Sequence, residues 1–332
     1  MIVLSEVLDL FVKQSPVTVM ARATMENVLS ADRLDELFAE SAIQQRSSEL
    51  MCSLVADVLG SVVFATRASI HSAFQARSEE IEVSIKAMYD KLKGIEPQVT
   101  RKLVRDTAAD FASIIDATGG KQASWLKDYR IKILDGNHLR RTERRLKEVR
   151  TSNVAPLPGH SLVVLDPERM LVIDVFPCED GHAQERSLLP DVLTTIEQGD
   201  VIVADRNFCT MDFLGGIADC QAGFVIRHHK QLTRWEVQGR KRKVGPVETG
   251  VVYEQPVCLL PKDGEPWLVR RITIQLETPT RDKDTELHLL TNLPNSIPAR
   301  KIAEIYRRRW TIETAFQERE AGLEGGAWTP CC

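Results

Sequence analysis

Two short apolar runs, each ending in an aspartate, are the sequence feature that most constrains the fold. Arg130–Asp135 alternates between charged and apolar residues and then becomes apolar before its aspartate, and Val201–Asp205 is apolar up to its last residue. Short apolar runs bounded by turns are typical of strands that are buried on both faces of a sheet. We therefore predict an α/β fold with both aspartates at strand ends, where the functional groups of such sheets collect.

The segments around these runs predict helices before them and further strands and helices after them. Residues 1 to 127 are predicted to be helical, because apolar residues recur at helical spacing; Ser30 is the predicted N-cap of the third helix. The predicted helices of this region are Met1–Lys13, Pro16–Leu29, Ala31–Ala42 and Glu49–Ala65. Later predicted elements are a hairpin of Ser161–Leu165 with Met170–Phe176, the helices Arg186–Gln198 and Cys209–Ala218, and the strand Gly223–Arg227.

A β-rich stretch at 230–290 separates the second aspartate from a last predicted helix, Ala299–Arg319. This order predicts a mixed sheet flanked by helices. The expected domains are a helical domain at 1–127, an α/β core at 128–229 and 291–320, a β-strand insertion at 230–290 and an irregular tail at 321–332. The strands predicted in the insertion are Trp235–Val237, Gly250–Tyr253, Val257–Leu260, Trp267–Leu276 and Glu286–Leu290.

The last helix carries charged residues within its apolar stripe. At 100° per residue, one stripe holds Ile302, Ile305, Tyr306, Arg309, Glu313 and Phe316. A carboxylate on such a face needs an ion-pair partner or a metal ion. One interpretation is an Arg309–Glu313 ion pair. The other is that Glu313 joins Asp135 and Asp205 in a set of three carboxylates, which suits Mg²⁺ or Mn²⁺.

Charge is distributed unevenly along the chain. The net charge of −4 over 332 residues argues against a general polyanion binder. Residues 131–150 nevertheless contain seven Lys/Arg against three Asp/Glu, and residues 227–243 contain seven against Glu236 alone. These stretches indicate either a restricted phosphate-binding surface or solvated charged loops.

The cysteines and the apolar segments bear on the compartment in which the protein is expected. Seven scattered cysteines without a CxxC pair argue against zinc and favour reduced thiols. No apolar run approaches the roughly 20 residues of a membrane span, and Met1–Val12 does not resemble a signal peptide. We therefore expect a cytoplasmic protein with no membrane partner.

Three segments carry motifs around the carboxylates. They read Ile-Leu-Asp135-Gly-Asn-His, Val-Ile-Val-Ala-Asp205-Arg-Asn-Phe, and Tyr306 followed by Arg309 and Glu313 at spacings of three and four. They resemble the motifs of bacterial DDE transposases of the insertion-sequence-4 group. The resemblance implies an RNase H-like core with a β-strand insertion domain between the second aspartate and the glutamate.

The resemblance also implies the chemistry and the partners. Asp135, Asp205 and Glu313 would be the catalytic residues and would hold two Mg²⁺ (or Mn²⁺) ions for cleavage and strand transfer of insertion-sequence ends. Expected partners are the terminal inverted repeats and target DNA, bound by a homodimer associated with the bacterial nucleoid. The residues expected to contact DNA are Tyr306, Arg309, Arg206, Arg140, Arg141, Arg144, Arg240, Lys241, Arg242 and Lys243.

The end of the chain departs from the family pattern. The third motif normally closes on a lysine, whose position is Glu320 here, and a Gly-rich tail with Cys331 and Cys332 follows. We expect this truncated or altered C-terminus to lower activity. Two alternatives therefore remain open: a catalytically impaired DNA-binding remnant, or an RNase H-like metal-dependent nuclease without strand transfer.

Overall fold

The contacts between residues divide the chain into two units. The computed structural model describes residues 15–43, 50–63, 66–138, 160–178, 184–280 and 283–309. Unit 1 contains the described residues up to Gln122 together with Leu171–Val175. Unit 2 contains those from Ala123 to Met170 and from Phe176 onward. Within the described ranges, no helix is long and apolar enough to cross a membrane.

Unit 1 is largely helical, as the spacing of its apolar residues predicts. Its helices are α1 (Pro16–Val28), α2 (Ala31–Ser41), α3 (Cys52–Val63), α4 (Ile70–Gln75), α5 (Ile85–Lys93) and α6 (Pro97–Ala117). The helix predicted at Met1–Lys13 lies outside the described residues. Ser30 stands at the N-cap position of α2, but its hydroxyl donates to the carbonyl of Asn27 (2.8 Å) instead of accepting from the helix.

Two apolar clusters hold unit 1 together. Val55, Val58 and Met88 centre one cluster, and Phe38 with Val99 centres the other. Burial of these apolar side chains is the main favourable contribution to the stability of unit 1.

An ion pair also fixes α6 against the strand segment of unit 1. The Arg101 guanidinium donates two hydrogen bonds to the Asp174 carboxylate, at 2.9 and 3.0 Å. Such bidentate pairs are geometrically specific, so the contact fixes the orientation of both side chains.

Parallel pairing organises the sheet of unit 2. The strands in the described part of the chain are β1 (Arg130–His138), β2 (His160–Asp166), β3 (Leu171–Pro177), β4 (Asp200–Ala204), β5 (Gly223–Arg227), β6 (Trp235–Val237), β7 (Arg242–Val247), β8 (Gly250–Leu259), β9 (Trp267–Leu276) and β10 (Glu286–Thr291). The strand order in unit 2 is β2-β1-β4-β5-β10-β9-β8-β6, with β7 paired to β8. The β1–β4 and β4–β5 pairs are parallel, and the other pairs are antiparallel.

Burial agrees with the predicted role of the central strands. Every residue of β4 is buried, and β5 is buried up to Arg227. The buried Asp200 carboxylate at the start of β4 accepts from Arg130 (2.8 Å) and Lys132 (2.7 Å). Helices α8 (Met211–Asp219) and α9 (Ala299–Arg308) pack on this sheet. The predicted mixed α/β sheet flanked by helices is confirmed, and it is consistent with an RNase H-like fold.

The strands between residues 235 and 276 extend the central sheet instead of forming a separate one, because β10 lies between β5 and β9. The two strands predicted at Gly250–Tyr253 and Val257–Leu260 form one continuous strand, β8. Pro256 is tolerated within it at the point where the neighbour on that side changes from β7 to β6. The strand β7 was not predicted.

The helix predicted at Arg186–Gln198 is much shorter in the structure. A 3₁₀ helix, Glu185–Leu188, leads into the short helix α7 (Leu189–Leu193). Pro190 suits the first turn of a helix but cannot continue one that begins earlier. At the other end, the Thr194 and Thr195 hydroxyls donate to the carbonyls of Asp191 and Val192, which offers the backbone an alternative to further helix.

Arg270 fixes the turn that leads from β10 into α9. Its guanidinium donates to the carbonyls of Leu293 (3.2 Å), Pro294 (2.8 Å) and Ile297 (2.9 Å), and to Glu254 Oε1 (2.7 Å). Arg242 binds the other oxygen of the same carboxylate, at 2.8 Å. Burial raises the pKa of Glu254, but the hydrogen bonds from Arg242 and Arg270 outweigh it and hold the pKa below its usual value.

We expect Arg270→Met to destabilise unit 2 far more than Arg242→Ala. The first leaves three carbonyls and one oxygen of the Glu254 carboxylate without their donor, which costs roughly 3–5 kcal/mol in the free energy of unfolding. Arg242 is 76 % exposed, so its loss costs below about 1 kcal/mol. Urea unfolding measures both variants, and equal losses would contradict this interpretation.

The stabilisation that Arg270 gives through Glu254 is expected to decrease as the pH falls. Because the folded state lowers the pKa of Glu254, the stabilisation is present above the unfolded pKa of about 4.3 and is lost as the pH falls through the folded value. The difference in unfolding free energy between Arg270→Met and the unsubstituted chain should therefore shrink in acid. A difference that is constant from neutral pH to pH 3 would rule this out.

Candidate active site

Parallel register brings the two aspartates of the apolar runs to one edge of the sheet. Leu134 on β1 pairs with Ala204, the last residue of β4, so Asp135 in β1 and Asp205 just after β4 come next to each other. The prediction that Asp135 ends its strand is wrong, because β1 stays paired with β2 as far as His138. Neighbouring strands lie about 4.8 Å apart, so the two positions are adjacent. Both side chains keep some solvent contact, at 20 % exposure for Asp135 and 31 % for Asp205.

The helix α9 and its C-cap residue bring a phenol and a guanidinium cation to these carboxylates. Ile302, Ile305 and Tyr306 face the core, as the stripe on the sequence predicts. The next residue of that stripe, Arg309, donates from Nη1 to Asp135 Oδ2 at 2.9 Å. The Tyr306 hydroxyl donates to Asp205 Oδ1 at 3.3 Å. The two residues therefore bind one carboxylate each.

A second group of charges lies beside Asp205. Arg227, the last residue of β5, approaches Asp205 Oδ1 at 3.9 Å and binds Asp284 Oδ2 at 2.6 Å. Arg206 lies 3.8 Å from the same Asp284 oxygen. Together with Arg309, three guanidinium groups and three carboxylates occupy this edge, and such clustered arginines suit phosphate.

Burial and positive potential shift the titration of groups around the site. Burial raises the pKa of the Tyr306 phenol, so it stays protonated and available as a donor at neutral pH. Burial lowers the pKa of His229, and the nearby Arg186 and Arg206 lower it further. Asp205 acts in the opposite direction on His229, but the pKa stays below its ordinary value.

The donor type at this edge fits a divalent cation. Asp135 and Asp205 offer carboxylate oxygens, which Mg²⁺ and Mn²⁺ prefer, and both remain partly open to solvent. Within the described ranges, no group of three or more His, Cys, Asp or Glu side chains is arranged to hold a metal ion. The expected third carboxylate, Glu313, lies outside those ranges.

The other residues expected to bind DNA fall in different places. Arg206 stands at the edge beside Asp205, directly after β4. Arg240, Lys241, Arg242 and Lys243 are exposed in and before β7, away from the Asp135 and Asp205 positions in the strand order. Arg140, Arg141 and Arg144 lie outside the described residues.

Sequence reasoning missed Arg227 and Asp284 as site residues. One signal was present for Arg227, because it ends the apolar strand that follows the Asp205 strand, and parallel strand ends share an edge. Asp284 lies in the connection before β10 and carries no local signal. Its place depends on the antiparallel pairing of β10 with β5.

Comparison with known proteins identifies the family. The transposase DDE domain matches residues 125–327 of this chain, which is more than half of its length and includes the whole edge described above. The chain belongs to the transposase DDE domain family. Members of this family generally use divalent metal ions and act on DNA.

A curated relative agrees with this assignment. The chain is 31 % identical over 125 residues to "Putative transposase y4zB" of Sinorhizobium fredii. The match covers 37 % of this chain and 33 % of that protein, so the chain matches about a third of the relative's length.

We expect Arg309→Met to destabilise the fold through the carboxylate it leaves behind. The Arg309 side chain is only 4 % exposed, so removing it leaves Asp135 without its paired cation, at a cost on the order of 3 kcal/mol. Adding Asp135→Asn should recover more than half of that loss. Arg308→Ala, at a 40 % exposed neighbour, should cost below about 1 kcal/mol.

Thermal and urea unfolding test this set of variants. Additive losses in the Arg309→Met/Asp135→Asn double variant would contradict a direct interaction between the two side chains.

Proposed function

We propose that this chain is a DNA transposase of the insertion-sequence-4 group that cleaves and joins insertion-sequence ends by metal-dependent phosphoryl transfer. The observation that carries the proposal is the adjacency of Asp135 and Asp205 at one sheet edge, faced by Tyr306 and Arg309 from α9. The Tyr306–Arg309 spacing and the added strands between β5 and β10 support the assignment to this group.

In this proposal Asp135, Asp205 and Glu313 hold two Mg²⁺ or Mn²⁺ ions. Bound ions of this kind lower the pKa of a water or a DNA 3′-hydroxyl and stabilise the leaving oxygen. Arg309, Arg206 and Arg227 place positive charge where the scissile phosphate would lie. Tyr306, kept protonated by burial, orients Asp205.

The proposed partners are the terminal inverted repeats, target DNA and a second copy of this chain. Two transposon ends have to be brought together before joining, which favours a dimer. The exposed cations Arg240, Lys241, Arg242 and Lys243 would hold the DNA backbone by counterion release, without reading the sequence. Action on DNA would place the protein in the cytoplasm, at the nucleoid.

A labelled duplex made from the DNA that flanks this gene tests the proposal. Nicking and joining with Mg²⁺ or Mn²⁺ would support a transposase. Nicking without joining would replace it with a metal-dependent nuclease. Binding without nicking would replace it with a DNA-binding remnant.

We expect Asp135→Asn and Asp205→Asn each to lower the rate of nicking by at least about 100-fold. Each substitution removes a charged oxygen ligand, and the metal ions stabilise the transition state by several kcal/mol. Asp212→Asn, at an exposed position in the first turn of α8, is the matched control and should nick at the unsubstituted rate. Unchanged nicking by either active-site variant would refute the assigned roles.

Two pairs of cations should differ in their effect on DNA binding. In the described structure, Lys241 binds Glu286 (3.5 Å) and Arg242 binds Glu254 (2.8 Å), whereas Arg240 and Lys243 make no ion pair. Arg240→Ala/Lys243→Ala should reduce the slope of log affinity against log salt by about 2. Lys241→Ala/Arg242→Ala should reduce the same slope by less than about 1, because Glu286 and Glu254 already neutralise these two cations.

Titrations of the same duplex at several salt concentrations measure these slopes. Equal slopes for both double variants, or an unchanged slope for Arg240→Ala/Lys243→Ala, would remove this surface from the proposed DNA contact.

A further inference from the structure

Two consecutive residues clamp the turn that follows Asp205. The 3₁₀ turn Arg206–Phe208 contains Asn207, whose Nδ2 donates to Glu185 Oε2 at 2.7 Å. Arg186, which follows Glu185, donates from Nε to the carbonyl oxygen of Asn207 at 2.6 Å. The side chain and the main chain of Asn207 are therefore both held by the start of the Glu185–Leu188 helix.

The same Glu185 side chain lies against the other aspartate strand. A Cβ built on Gly136 would come within 2.8 Å of Glu185 Cδ and 3.1 Å of Oε2, closer than real Cβ atoms normally approach. Gly136 directly follows Asp135, and successive strand residues face opposite sides of the sheet. Glu185 therefore meets β1 from the side opposite to the Asp135 carboxylate.

We propose that Glu185 is a positioning residue that ties the Asp135 strand to the Asp205 turn and so fixes the separation of the two carboxylates. It contacts Gly136 on one side and Asn207 on the other, each within two residues of an aspartate. The inference rests on the proposed metal-dependent function, because only a bound ion needs that separation to be held closely. Groups that orient metal ligands typically affect metal affinity by 10- to 100-fold.

The geometry separates positioning from direct metal binding. Within the described part of the chain, Glu185 does not form a metal-type cluster with Asp135 and Asp205. One of its oxygens is committed to the Asn207 amide. Because that bond joins a carboxylate to a neutral amide, its donor and acceptor can be exchanged by swapping the two residue types, and the swap gives a sharp test.

The experiment titrates Mn²⁺ alone into the full chain by calorimetry and follows thermal unfolding without metal. Asn207→Asp places two carboxylates against each other and should weaken Mn²⁺ binding 10- to 100-fold. Glu185→Gln keeps an acceptor and should stay within about 3-fold of the unsubstituted chain. The Glu185→Gln/Asn207→Asp double variant restores a hydrogen bond with exchanged roles and should also return to within about 3-fold.

Several results would overturn the inference. Unchanged Mn²⁺ affinity in Asn207→Asp would do so, and so would a double variant as weak as Asn207→Asp. Loss of affinity in Glu185→Gln without recovery in the double variant would make Glu185 a ligand instead. A lower melting temperature with unchanged affinity would make the contact purely structural.

A second pair of variants keeps the test decisive if Asn207→Asp does not fold. Gly136→Ala should displace the Glu185 carboxylate and weaken Mn²⁺ binding about 10-fold. Gly215→Ala, in α8, adds a methyl group that meets no atom within 4 Å, so it should leave Mn²⁺ binding unchanged. Equal affinity in these two variants would overturn the inference.

Asp135→Asn separates the two proposals. If it leaves Mn²⁺ affinity unchanged, the metal site itself is refuted, and the positioning role with it. If it abolishes Mn²⁺ binding while Asn207→Asp and Gly136→Ala do not weaken it, only the positioning role is refuted.

Discussion

Parallel pairing of β1 with β4 is the constraint on which the rest of unit 2 depends. It brings Asp135, within β1, next to Asp205, the residue that follows the end of β4. Two carboxylates at neighbouring positions repel each other, by a few kcal/mol at about 5 Å and an effective dielectric of about 20. A fold of marginal stability does not keep such a pair without compensation, so the surrounding residues have to supply it.

The compensation comes from elements that are distant in sequence. Arg309 and Tyr306 reach the carboxylates from α9, and Arg227 approaches from the end of β5. The helix α9 can do this because Arg270 fixes the turn before it through three carbonyls. A metal ion that took the place of some of these contacts would be held by the same two carboxylates. The stability of this edge and its proposed chemistry therefore depend on the same residues.

Much of the sheet could be predicted because its signals are local. The apolar runs ending in Asp135 and Asp205 identified β1 and β4 without knowledge of their neighbours, and the stripe on α9 placed Arg309 on a buried face. The helix predicted at Arg186–Gln198 was too long, because Pro190 moves its start and the Thr194 and Thr195 hydroxyls bind the carbonyls at its end. The assignment of Glu313 to the metal site stays a prediction.

The contacts that sequence reasoning missed all join distant parts of the chain. Asp284 reaches Arg227 only because β10 pairs with β5, and Glu185 reaches Asn207 only once the α7 region packs beside the end of β4. No periodicity or spacing in a single sequence records such pairings. The polar residues themselves were visible, but their partners were not.

Iron-directed cleavage of the backbone tests most directly whether Asp135 and Asp205 bind a common metal site. Fe²⁺ replaces Mg²⁺ in the full chain, and ascorbate with peroxide generates hydroxyl radicals that cut the backbone close to the ion. We predict cuts close to Asp135 in β1 and close to Asp205 after β4, and the loss of both sets of cuts when either aspartate alone is changed to asparagine. Cuts elsewhere only, or cuts that persist in both single variants, would contradict a shared metal site.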